Sequence, residues 1–150
     1  MAKFKFRLAT LLRLREATRD ERRSELGKAY QVDDVLREQV GQVAEELESL
    51  KNACRRESSP GVVDVDRLVE AQRYELALRF QQKQLGEQRK AVGEEIERRR
   101  QRLLGADRDV RVLEKLRDKQ TRRHRQEEDR QEIKQLDEVV QQRFIREDGP

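Results

Sequence analysis

Ser58-Ser59-Pro60-Gly61 holds the one proline of the 150-residue chain apart from Pro150 at its end. Proline has no amide hydrogen to donate and its ring clashes with the preceding turn, so a helix stops there. On either side almost nothing else would stop one. Arg, Lys, Glu, Gln and Leu, all good helix formers, dominate both halves. The stretch therefore divides the chain into two long helices, predicted over about residues 5–57 and 66–146, joined by a turn at 58–65. At about 1.5 Å of rise per residue they would run to about 80 Å and about 120 Å.

Working back from the break, Leu36, Val40, Val43, Leu47, Leu50 and Cys54 are separated alternately by four and three residues. That 3.5-residue period is the seam of a coiled coil. Phe4, Leu8, Leu11, Leu12 and Leu26 extend the helix upstream, whereas Arg13 to Glu25 offers little for a seam beyond Ala17 and should pack loosely. Working forward, Asp64 or Asp66 can cap the second helix, with Glu70 near its positive end. Leu78, Leu85 and Val92 recur at heptad intervals, and Ile96, Leu103, Val110 and Leu113 continue the stripe with Arg99 and Ala106 between them. Gly86 and Gly93 interrupt it at about 1 kcal/mol each relative to Ala.

Folding back at the break sets residue i opposite 123 − i, so Leu50 faces Arg73 and Phe4 faces Lys119. The second stripe fades after Leu113 and Leu116, where its partner would end. A C-terminal overhang remains, on which Ile133, Leu136, Val140 and Phe144 return as an apolar stripe with no sequence left to cover it. The fold class expected is all-α: a single long antiparallel two-helix coiled coil, a helical hairpin with a C-terminal helical overhang.

Composition excludes a large globular core. Apolar residues make up 34% of the chain and aromatics 4%, while 44% are charged. The net charge of +4 is small for a dedicated phosphate-binding protein. It is unevenly placed, however. Residues 1–23 carry eight basic and three acidic side chains and residues 97–130 thirteen and eight, so both basic segments lie at the open end of the hairpin. A single Cys54 rules out an intramolecular disulfide and fits a reducing compartment. No apolar run reaches the roughly 18 residues of a membrane span. The amphipathic segment Phe4 to Arg15 reads as the start of a partnered helix rather than a membrane-surface anchor.

No catalytic, metal-binding or cofactor-binding constellation appears. His124 sits among Arg122, Arg123 and Arg125 with no second His or Cys at ligand spacing and reads as a plain surface residue. No glycine-rich phosphate loop or nucleophile elbow is present. Cys54 falls on the seam spacing and reads as a small core residue.

Two segments carry a resemblance. Phe4-Lys5-Phe6-Arg7-Leu8-Ala9-Thr10-Leu11-Leu12-Arg13-Leu14-Arg15 opens an Arg/Glu-rich helix. Leu113-Glu114-Lys115-Leu116 leads through Gln131 and Glu132 to Leu136-Asp137-Glu138. In order and spacing these resemble the flagellar FliJ family, over nearly the whole chain. The resemblance implies a non-enzymatic, cytoplasmic component of the flagellar type III export apparatus, peripheral at the inner-membrane flagellar base and built like the central stalk of a rotary ATPase. It implies as partners the export ATPase FliI and its regulator FliH, the export gate FlhA, and export chaperones. No nucleic acid is expected, because the total charge is nearly balanced and the basic clusters hold interleaved acids and few aromatic stacking residues, and no membrane insertion is expected. Carried onto this chain, the gate contact near the turn corresponds to Leu50, Tyr74 and Leu78. The ATPase contact at the open end corresponds to Arg13, Arg15, Arg122, Arg123 and the stripe Ile133, Leu136, Val140 and Phe144. The protein is expected as a monomer or weak dimer. Two other classes stay open on the residues alone: a self-associating scaffold coiled coil and a nucleic-acid-binding helical arm.

Overall fold

A computed structural model describes residues 3–57, 61 and 64–149. The chain is all-α, with two long helices packed against each other as a helical hairpin: α1 (Ala9–Glu57, 49 residues) and α2 (Val65–Glu147, 83 residues). Of the predicted turn, residues 58–60, 62 and 63 lie outside the described residues. Asp64 caps α2: its Oδ1 accepts from the Asp66 amide at 3.1 Å and its carbonyl from the Leu68 amide at 3.2 Å. The first bond satisfies an amide that has no intrahelical acceptor, and the second is the opening i→i−4 bond of the helix.

The chain divides into two compact units, Asp20–Leu104, and Met1–Arg19 with Gly105–Pro150. In the first, Leu36, Val43, Leu78 and Leu85 form the core, with Val40, Leu47, Leu50 and Val92 packed against it. These are the residues of the expected seam. At roughly 25 cal/mol per Å² of apolar surface, burying a side chain of this size contributes about 1.5–3 kcal/mol. Polar pairs along the seam show that the helices are antiparallel: Tyr74 with Glu46, Arg89 with Asp33, and Arg99 with Glu25. All three fall within three residues of the expected 123 − i.

Arg99 takes a seam position and is half-buried. Its Nη1 donates to the Glu25 backbone carbonyl at 2.6 Å and its Nε to Glu95 at 2.9 Å. Hydrogen bonds from Arg99 and Arg98 hold the Glu95 carboxyl below its ordinary value. The expected loose stretch of α1 is polar, as its sequence indicated, but Ala17 is exposed and contributes nothing to a seam. Ala29, just downstream, is buried in its place.

The second unit has its core in Leu12, Val110 and Leu113, with Phe6 against them. Here the structure corrects the expected start of α1. Residues 3–7 are not helical, and exposure alternates along them: Lys3, Lys5 and Arg7 are exposed, Phe4 and Phe6 half-buried. That two-residue alternation is the mark of an extended segment. The Phe4 ring lies 5.5 Å from the His124 ring. Phe4 therefore faces His124 and not Lys119, because an extended residue advances about 3.3 Å where a helical one advances about 1.5 Å. His124 is likewise more than a surface residue: it is half-buried, stacks at a tilt on Phe4 and sits 3.6 Å from Glu128.

Gly86 and Gly93 are exposed within α2, and a methyl group at either would meet nothing within 4 Å. No packing requirement explains them. Gly86→Ala and Gly93→Ala should each raise the unfolding free energy by about 0.5–1 kcal/mol, read as an increase in denaturation midpoint at unchanged slope. A decrease would show that one of these sites carries a constraint beyond helix propensity.

Candidate functional site

Near the turn, Tyr74 is half exposed, at 50%. Its hydroxyl donates to Glu46 Oε2 at 3.0 Å, and the two flank an open depression bounded also by Gln42, Glu45, Ser49 and Leu50. The hydrogen bond to the Glu46 carboxylate, reinforced by its charge, raises the Tyr74 phenol above its ordinary value. The folded chain thus holds this proton more tightly than the unfolded chain does. The associated stability is present below the unfolded value near 10 and lost as pH rises through the folded one. In a Tyr30→Phe background the phenolate absorbance should report a Tyr74 midpoint above the ordinary value, and Glu46→Gln should bring it down.

The other two residues expected at this contact lie differently. Leu50 is half-buried at the edge of the depression, while Leu78 is 3% exposed and belongs to the core. Leu78 holds the surface in place and does not present itself on it.

The larger apolar surface here was not anticipated. Val65, Val69, Leu76 and Phe80 are exposed at 66%, 41%, 68% and 62%. Leu76 precedes Leu78 by two residues, which places them about 200° apart around the helix. The four follow each other at intervals of four, seven and four residues and so form one stripe on the side of α2 turned away from α1. The spacing was legible in the sequence. It was overshadowed by the seam, because α2 is apolar on two opposite faces in this stretch.

At the other expected contact, Arg13, Arg15, Arg122 and Arg123 are all exposed. Arg15 pairs with Asp109 across the helices at 3.6 Å. Such exposed pairs contribute little. α2 remains helical through the C-terminal stripe, and every residue from Asp129 to Gly149 is exposed. Ile133, Leu136, Val140 and Phe144 are exposed at 58%, 64%, 51% and 65%, joined by Val139 and Ile145. Counting heptads back from Val140 and Ile133 reaches Val112, which is 65% exposed, and not Val110 or Leu113, which are buried. The stripe is therefore out of step with the seam and faces a different side of α2.

Among the described residues no group of His, Cys, Asp and Glu side chains is placed to hold a metal ion, and no helix is long and apolar enough to cross a membrane. Cys54 is half-buried and forms no disulfide. What the arrangement offers is binding surface. No curated protein and no solved structure gives a significant match. The family described as flagellar FliJ protein matches residues 4–149, from the first half-buried phenylalanine through the exposed C-terminal stripe. The chain belongs to the flagellar FliJ family, a family of flagellar export proteins.

Proposed function

We propose that this protein is a non-catalytic coupling element of the flagellar export apparatus, linking the export ATPase to the export gate and escorting unloaded export chaperones. The observation that carries the reading is that α2 exposes apolar stripes at two separate places, Val65 to Phe80 and Ile133 to Phe144, that the hairpin does not cover. Contiguous exposed apolar surface marks an interaction site. Membership of the export family supplies the class of partner. Near the turn the gate contact is built on Leu76 and Phe80, with Tyr74 as a second anchor on another side of α2. Aromatic side chains such as Phe80 and Tyr74 dominate interface energetics, and Leu76 extends the apolar surface beside Phe80. At the open end the C-terminal stripe meets the ATPase.

The test is capture of the cytoplasmic part of the gate by the full chain. Leu76→Ser with Phe80→Ser should weaken capture by tenfold or more without lowering the helical signal. Undiminished capture would remove the gate from this face. A scaffold that assembles through the same stripes is the second reading. It requires mass to grow with concentration, and a mass that stays monomeric on sedimentation excludes it.

A further inference from the structure

The extended start of the chain turns its phenylalanines inward and its cations outward. Lys3, Lys5 and Arg7 are exposed, and with Arg13 and Arg15 they make five cations before the first acid, Glu16. α1 begins at Ala9 with no acidic residue in its first turn. Its positive dipole end therefore adds to these charges instead of offsetting them. Lys3, Lys5, Arg7 and Arg13 have no ion pair among the described residues. The Phe4 contact with His124 brings this segment beside a second basic run, since residues 115–125 hold six cations and one acid, Asp118. Lys115, Lys119, Arg122 and Arg123 line one open depression there with Asp118 and Gln126. Two runs that are each strongly positive are thus held together with little internal compensation, in a protein whose total charge is only +4. Beside them Leu8, Leu11 and Leu14 remain exposed at 38%, 36% and 63%.

We propose that this end of the protein docks on an anionic phospholipid surface, with Lys3, Lys5 and Arg7 against the headgroups and Leu11 and Leu14 at the level of the acyl boundary. Clustered cations next to exposed leucines on an amphipathic segment are the combination that adsorbs to an anionic bilayer without crossing it. α1 does have a helical partner, but α2 covers only the Leu12 side and leaves these residues to the solvent. Single-stranded nucleic acid would match the charge but needs aromatic platforms for its bases. The two phenylalanines here are packed inward against Leu12, Val110, Leu113 and His124. The proposal goes beyond the coupling role and needs neither ATPase nor gate, so vesicles alone test it.

The full chain is mixed with vesicles of phosphatidylcholine and phosphatidylglycerol in equal parts, or of phosphatidylcholine alone, and sedimented. Binding should appear only with phosphatidylglycerol. Each cation at such a surface contributes about fivefold, so Lys3→Gln, Lys5→Gln and Arg7→Gln together should weaken it about a hundredfold. Lys3→Arg with Lys5→Arg should bind as the unaltered chain does. Leu11→Gln with Leu14→Gln should abolish the part of binding that survives raised salt, with the melting transition as the check on folding. Equal binding to both vesicles, or no loss in the triple variant, overturns the proposal. So does polyuridylate that displaces the protein from vesicles and binds the leucine variant as tightly as the unaltered chain, since that result assigns the surface to nucleic acid.

Discussion

Leu78→Ala should lower the unfolding free energy by about 2–5 kcal/mol, whereas Tyr74→Ala, four residues away, should change it by less than about 1 kcal/mol. Leu78 is 3% exposed and packs in one cluster with Leu36, Val43 and Leu85. Removing three of its carbons forfeits their transfer energy and leaves a void between two helices that cannot close without shifting both. Tyr74 is half exposed, and its hydrogen bond among the described residues is to the Glu46 carboxylate. Binding should divide the other way, with Tyr74→Ala weakening gate capture at unchanged helical content. Chemical denaturation followed by the far-ultraviolet helical signal measures the first half and capture the second. Equal losses of stability in the two variants would mean that the depression around Tyr74 is part of the core.

Truncation after Gln131 should leave the remaining hairpin melting cooperatively and within about 0.5 kcal/mol of the intact chain, yet abolish association with the export ATPase. Everything removed is exposed up to Gly149, and the His124 contact to Glu128 is retained. The deletion therefore takes away no buried surface, and changes to exposed sites are small in stability. It does take away Ile133, Leu136, Val140 and Phe144, whose exposure is the reason for assigning this end a partner. A truncated chain that binds the ATPase as tightly as the intact one would move the contact elsewhere.

The seam was readable because Leu36 to Cys54 and Leu78 to Val92 keep one strong period, and burial follows period closely. The start of α2 was readable within a few residues at Asp64, where a capping side chain leaves little choice. The start of α1 was misread for the same reason that the seam was read well. Lys3-Phe4-Lys5-Phe6-Arg7 alternates with a period of two, and continuing the helix through it set Phe4 opposite the wrong residue. Of the candidate contacts, Tyr74 and the C-terminal stripe could be found because an aromatic near a turn and an uncovered apolar row both stand out. Leu76 and Phe80 could not be separated from the core by hydrophobicity, since Leu78 lies between them. Only the 200° that separates Leu76 from Leu78 distinguishes surface from seam.

The C-terminal stripe keeps step with exposed Val112 and not with buried Val110 or Leu113. A ligand that grips α2 on that side leaves the contacts of Leu12 with Val110 and Leu113 intact. It then has no reason to prefer an open form of the pair over a closed one, and a ligand without such a preference shifts no equilibrium however tightly it binds. Association at the C-terminal stripe and separation of the helices are in that sense independent variables: the protein can be held and released through many cycles while its fold performs no work.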